Sequence, residues 1–286
     1  MEVGYTVLYE NGTLVISANP IKQFKKSSIF FLRKNIYKDY GKFDDDNVPW
    51  KKDSKEIKTV QILDQVKSND MHSWFEDCIN LTTLIDFQNL DVSECKEFSY
   101  LFCNCKLLTN TLSLKDWDVS NGKTFLGMFF NCQLLTDISS LQNWDVSNGE
   151  DFTAMFEQCE SFVNLSALQN WNVSNGENFT AMFYRCESLV NISALKNWNV
   201  SNGRNFTYIF EHCTLLENIN IKNWNLMTEK CFAKFCRNCT NLKKIYLPNS
   251  IKVIKENIFL FCNSNLKIVW KDKIYNYSDL EEYKEF

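Results

Sequence analysis

Proline and glycine are scarce, three and eight among 286 residues, which argues against long flexible linkers. Histidine is scarcer still: only His72 and His212 could offer an imidazole to acid–base chemistry. No stretch approaches the about 18–20 consecutive apolar residues that a membrane span needs, so none is expected. Charge of neither sign dominates, and a net charge of −4 gives no global attraction to nucleic acid or to an anionic membrane. The N-terminus has no basic segment and no long apolar run, and does not read as a secretory signal.

What the chain has is repetition. Cysteines stand at Cys78, Cys105, Cys132, Cys159, Cys186 and Cys213, always 27 apart, then at Cys239 after 26. Tryptophans keep step at Trp117, Trp144, Trp171 and Trp198, then at Trp224 after 26, with Leu90 filling that slot one period earlier. A fixed period of this size marks stacked coils, each unable to cover its apolar side alone and all sharing one core.

Each unit carries two patterns. After Ser147, Asn148 and Gly149, the apolar residues Phe152, Met155, Phe156 and Cys159 fall at i, i+3, i+4 and i+7, which predicts one face of a short helix. Ser147 or Asp145 is placed to cap it, and Glu150 and Asp151 put negative charge in its first turn. The slots recur as Phe179, Met182, Phe183 and Cys186, and as Phe206, Ile209, Phe210 and Cys213. Leu135, Ile138, Leu141, Trp144 and Val146 form an extended half that predicts one short strand per coil. The expected fold is an α/β repeat solenoid of 27-residue coils, each with a short strand and a short helix.

The division expected is an N-terminal β-rich cap over residues 1–73, an array over 74–240, and a final shorter coil and cap over 241–286. In the first, Asn11-Gly12 between apolar runs predicts a β-hairpin, and Lys58 to Leu63 another strand. In the last, Cys262 follows Cys239 after 23 residues, and Tyr275 to Phe286 closes the open end.

The unit resembles the repeat of the BspA-like leucine-rich-repeat surface proteins, also described as Mycoplasma-type lipoprotein repeats. The resemblance rests on Trp144-Asp145-Val146-Ser147-Asn148 followed by Met155-Phe156-Glu157-Gln158-Cys159. The lead-in adds Gly4 to Val7, Asn11 to Leu14, Val48-Pro49-Trp50 and Ser73 to Cys78, and the last coil adds Leu247-Pro248 and Phe259 to Cys262. It implies a leucine-rich-repeat solenoid with an adhesion or interaction role at a cell surface. One departure is systematic: Gly122, Gly149, Gly176 and Gly203 replace the usual valine after Ser-Asn, and phenylalanine stands three residues on in place of methionine. A second is the lack of an export signal, which together with free cysteines favours an intracellular compartment.

Candidate chemistry is thin. Cys231, Cys236, Cys239 and Cys262 could supply four thiolates to zinc, but Cys239 lies on the repeat's cysteine frame and Cys236 on its phenylalanine frame, which points both inward for packing. No metal and no cofactor are expected, and the thiols should be reduced and buried. His212 precedes Cys213, yet neighbours on a helix point about 100° apart, which argues against a dyad. With no other convergent acid, base, nucleophile or phosphate loop, an enzyme is not expected. Lys22, Lys25, Lys26, Arg33, Lys34 and Lys38 interleave with Phe24, Phe30, Phe31 and Tyr37, a pattern found in nucleic-acid binding and equally in a charged cap edge. Asp44, Asp45 and Asp46 offset part of that charge, and the cap reading is preferred.

Function is therefore sought in binding. The coils from Cys159 to Arg185 and from Cys186 to His212 match at 19 of 27 positions, so the differences single out candidate contacts. They are Glu177 against Arg204, Ala181 against Tyr208, and Tyr184-Arg185 against Glu211-His212. The expected partner-contact residues are Glu177, Tyr184, Arg185, Arg204, Tyr208, Glu211 and His212, on the outward helical face of a non-enzymatic, adhesin-like scaffold for a protein partner. The alternatives are an assembly component of a larger particle or surface layer, or a carbohydrate-binding module whose tryptophans form an exposed stripe. No small-molecule substrate is expected.

Overall fold

The computed structural model of the chain describes residues 6–18, 35–37, 48–226, 232–252 and 256–278. The lead-in at Gly4 and Tyr5, the basic residues Lys22 to Lys34 and Lys38 with Phe24, Phe30 and Phe31, Asp44 to Asp46, Cys231 and residues 279–286 lie outside them. Among the described residues no helix is long and apolar enough to cross a membrane.

Strands β1 (Thr6–Glu10) and β2 (Thr13–Ser17) form the expected antiparallel hairpin. Asn11 and Gly12 both take positive φ, 49° and 79°, as a two-residue turn of the favoured twist requires. Strand β3 (Asn35–Tyr37) flanks β1, while β2 pairs in parallel with β4 (Thr59–Ile62), and β4 with β6 (Thr83–Ile85). A second ladder joins β5 (Val66–Lys67) to β7 (Leu90–Asp91). Coil thus meets coil through parallel backbone pairing from residue 59 onward. At the far end β8 (Asn218–Asn220), β9 (Lys244–Tyr246) and β10 (Lys267–Trp270) continue in parallel, and β11 (Lys273–Asn276) closes the sheet antiparallel.

The repeat solenoid is as expected, but its parts are not those of an α/β coil. Between Asp91 and Asn218 the strands shrink to single parallel bridges, such as Asn164 with Asn191 and Asp151 with Asn178. Tight 3-10 turns at Ser139–Asn143, Ser166–Leu168 and Ser193–Asn197 cut each extended half short, so Leu141 lies in a turn and not a strand.

The expected helix is absent: among the described residues no α-helix forms. From Phe152 to Cys159 the amides of Phe152, Ala154, Phe156 and Gln158 donate to carbonyls of Asn178, Thr180, Met182 and Tyr184 in the next coil, at 2.7–3.0 Å. The intervening amides of Met155, Glu157 and Cys159 close local turns to residues three back. An α-helix is about 10–12 Å across with its side chains, whereas paired coils lie about 4.8 Å apart. A helix in every coil would splay the coils apart on this side, and its backbone would bond to itself instead of to the next coil. The expected cap residues accordingly serve turns: Asp145 accepts from the Ser147 amide at 3.0 Å, and Asp151 from the Thr153 amide at 2.9 Å. Glu150 pairs with Lys123 of the preceding coil.

The apolar positions nevertheless point inward as the periodicity predicts. Phe98, Phe125, Phe152, Phe179 and Phe206 stack in one column with centroids 5.0–5.5 Å apart, and Phe102, Phe129, Phe156, Phe183 and Phe210 in a second at 5.6–5.8 Å. The repeat tryptophans Trp117, Trp144, Trp171, Trp198 and Trp224 lie beside them, 5 % exposed or less, so they form no sugar-stacking stripe. Each indole N–H of Trp117, Trp144, Trp171, Trp198 and Trp224 donates to a backbone carbonyl of the preceding coil, at 2.8–3.2 Å. Frame cysteines do likewise: the thiol of Cys159 donates to Phe129 O at 3.2 Å and that of Cys186 to Phe156 O at 3.1 Å. Burial pushes these thiols well above their ordinary range.

The same packing accounts for the glycine–phenylalanine departure. A Cβ on Gly149 would meet the ring tip of Phe152 at 2.5 Å and the Val146 carbonyl at 3.0 Å, and Gly122, Gly176 and Gly203 face their own phenylalanines the same way. These glycines serve close approach and not positive φ. Gly149→Val is expected to cost about 1–3 kcal/mol through overpacking. Combining it with Phe152→Met should recover part of that loss, giving a coupling of at least about 1 kcal/mol in a double-mutant cycle by urea denaturation. Additive losses would contradict the packing account.

Candidate partner-binding face

The turn side of each coil is held by two residues in the left-handed region. They are Ala154 and Gln158, then Ala181 and Arg185, then Tyr208 and His212, with φ between 54° and 64°. Each such non-glycine residue costs about 1–2 kcal/mol of backbone strain, offset by the lateral hydrogen bonds it permits. Gly127 occupies the first of these positions two coils before Ala181. Four of the expected contact residues, Arg185, Tyr208, His212 and their neighbour Tyr184, therefore lie on a run of turns and not on a helix.

The structure brings these four together with Glu211. The Tyr184 ring meets His212 edge-on at 5.8 Å and Tyr208 at 6.5 Å, and the Arg185 guanidinium lies 5.9 Å from the Tyr184 centroid. Tyr184, Tyr208 and His212 are half-buried, and Arg185 is exposed. Glu211 corrects the outward reading. Unlike Tyr184 and Glu157 in the same slot of the two preceding coils, its side chain is buried. Its Oε1 lies 3.3 Å from Arg237 Nε and 3.8 Å from His212 Nε2. Burial raises the Glu211 pKa, and Arg237 and Lys234 act against that rise.

Glu177 and Arg204 stand apart from this cluster, paired to each other at 3.2 Å. Lys123 and Glu150 hold the same slot two coils earlier and pair in the same way. Exposed pairs of this kind contribute about 0–1 kcal/mol, and the pairing by itself accounts for the charge reversal between the two coils.

Sequence reasoning missed the next coil's contribution. Lys234 lies 5.0 Å over the Tyr208 ring and reaches its hydroxyl at 3.4 Å, Asn238 Nδ2 is 3.0 Å from His212 Nε2, and Arg237 faces the exposed ring of Phe261 at 5.8 Å. Stepping the same slots forward by the 26-residue interval would have found all three coil-239 residues. Burial, with Arg185 and Arg237 nearby, lowers the His212 pKa, so its neutral ring can accept the Asn238 amide. Cys213 takes no part: its buried thiol donates to Phe183 O at 3.2 Å and is pushed well above its ordinary range. The arrangement is a basic and aromatic surface suited to recognition. Among the described residues no group of three or more His, Cys, Asp or Glu side chains is placed to hold a metal ion.

A family model described as "Mycoplasma protein of unknown function, DUF285" matches residues 50–166 and again 136–249. No curated protein matches. Solved structures similar to the chain include a leucine-rich repeat protein from Bacteroides ovatus, 13% identical, covering 92% of this chain and 70% of that one with a TM-score of 0.41. Another, from Eubacterium ventriosum, is 12% identical over 91% and 95% of the two chains, with a TM-score of 0.32. A leucine rich cell surface protein from Faecalibacterium prausnitzii is 15% identical over 94% and 93%, with a TM-score of 0.25.

Glu157, in the Tyr184 slot one coil earlier, gives the face a pH dependence. Burial pushes its pKa from 4.5 to about 7, with Gln158 and Arg185 pulling it back. A carboxyl raised in the folded state favours folding while protonated, so that stability is present below pH 4.5 and is lost as pH rises through about 7. Glu157→Gln should match the wild type at low pH and melt progressively higher than it across that window. A melting difference independent of pH would show Glu157 to titrate normally.

Proposed function

The chain belongs to the family described as Mycoplasma proteins of unknown function, DUF285, and we propose that it is a non-enzymatic, adhesin-like scaffold binding a protein partner on its turn side. One observation carries the reading: over a frame copied nearly unchanged, the turn side between Tyr184 and Phe261 gathers tyrosine, arginine, lysine and histidine side chains that no frame position requires. Tyrosine and arginine are the residues that most often carry interface energy. The surface does not repeat, which suits one shaped protein better than a polymer. On this reading residues 1–73 and 241–286 act as end caps, keeping the open ends of the ladder from pairing with other chains.

A second reading, assembly into a larger particle, has one observation in its favour. Leu107, Leu134, Val163, Val190 and Leu215 are exposed in five successive coils, two or four residues after the frame cysteine. Such a row could seat a repeating surface.

The test takes the partner captured from extract by the immobilised chain and titrates it against Tyr184→Ala/Arg185→Ala/Tyr208→Ala/His212→Ala. Affinity is expected to fall at least about tenfold, as when interface aromatic and arginine side chains are truncated, in a variant that remains folded by circular dichroism. Unchanged affinity would overturn the choice of face. Should Leu134→Asp/Val163→Asp instead break up a self-assembled species, the assembly reading takes its place.

A further inference from the structure

The thiol ladder has one irregular rung. From Cys105 to Cys239 each frame thiol leans over the residue three places before the preceding coil's cysteine, and that residue is always a phenylalanine, as with Phe183 under Cys213 and Phe210 under Cys239. The last coil keeps the geometry, with Cys262 Sγ donating to the Cys236 carbonyl at 3.0 Å, but the residue beneath is now itself a cysteine. Cys236 lends its thiol to the Ile258 carbonyl at 3.4 Å, and the two cysteine side chains are in hydrogen-bonding contact. Among the described cysteines, Cys262 is also the one that is not fully buried.

We propose that Cys236 and Cys262 form a modification site, a disulfide made by exchange with a small-molecule disulfide of the glutathione class, which fastens the last coil to the array. The side chains of Cys236 and Cys262 already meet, with Cys262 Sγ 3.0 Å from the Cys236 carbonyl, so the bridge joins two sulfurs that are neighbours in the fold. Cys262, reachable from solvent, attacks one sulfur of the small disulfide as its thiolate. This forms a mixed disulfide and releases one small thiolate, which takes up a proton. Cys236 then loses its proton to solvent and attacks Cys262 Sγ, displacing the second small thiol. Two protein thiols and one small disulfide become one protein disulfide and two small thiols, and the two electrons leave with the small thiols. Burial pushes the Cys236 thiol well above its ordinary range, which makes the second displacement the slow step. The bridge would close a loop of 26 residues that contains Arg237, Asn238 and Phe261 of the basic and aromatic face. The inference does not depend on that face binding a partner.

The experiment incubates the full chain with oxidised glutathione, quenches with acid at intervals, and maps disulfides by peptide mass spectrometry. Expected is a transient glutathione adduct at Cys262, formed at least about tenfold faster than at any frame thiol, followed by loss of the adduct and a single Cys236–Cys262 linkage. Cys236→Ser should halt at a stable adduct on Cys262. If that buried change prevents folding, Cys262→Ser serves instead and should abolish both the adduct and the linkage. A linkage to Cys231, an adduct on Cys262 that persists in the wild-type chain, or an unreactive Cys262 would each overturn the proposal.

Discussion

On the turn side every second amide N–H points along the axis of the array and is satisfied by the next coil, as Phe152, Ala154, Phe156 and Gln158 are by Asn178, Thr180, Met182 and Tyr184. That lateral bonding sets the coil spacing, and the spacing dictates most of what surrounds it. Coils this close stack identical rings face to face, which is why two phenylalanine columns run through the core nearly parallel. They also require a backbone that turns sharply without winding on itself, and two left-handed residues per coil provide the turning.

The frame's polar handles serve the same coupling. A buried indole or thiol must place its hydrogen somewhere, and here the frame indoles from Trp117 to Trp224 and the frame thiols from Cys105 to Cys239 reach carbonyls of the coil before them. The Phe129 carbonyl, for example, accepts both the Cys132 amide of its own coil and the Cys159 thiol of the next. On the outside, Asn148, Asn175 and Asn202 repeat the device, donating to serine carbonyls of the preceding coil at 2.7–2.8 Å. Tryptophan, cysteine and asparagine thus recur in the sequence at positions where each joins neighbouring coils.

The period, the inward-facing positions and the burial of the frame cysteines were all legible in the sequence. The helix was misread for an identifiable reason. Left-handed residues four apart return side chains to the core at i, i+3, i+4 and i+7, the spacing a helix would give. Glycine, asparagine or aspartate at those positions would have signalled turns, and Asp77, Asn104, Asn131, Gly127 and Asn238 do so. The central coils instead place Ala154, Gln158, Ala181 and Arg185 there, which carry no such signal. Of the candidate face, Tyr184, Arg185, Tyr208 and His212 were found by comparing two coils, whereas burial of Glu211 could not be seen without its neighbours. Lys234, Arg237 and Asn238 were hidden by the shortened coil, which shifts the register by one residue.

Because the whole account rests on which carbonyl each turn-side amide reaches, the most direct test reads those partners in solution. Through-hydrogen-bond scalar couplings, measured by NMR on deuterated, isotope-labelled chain, identify donor and acceptor pair by pair. Couplings from the Ala154 amide to the Thr180 carbonyl and from the Gln158 amide to the Tyr184 carbonyl are expected, with Met155 and Cys159 coupled within their own coil to Phe152 and Phe156. Couplings of Ala154 and Gln158 to carbonyls four residues back in their own coil would mean a helix, and would contradict the lateral ladder and the spacing built on it.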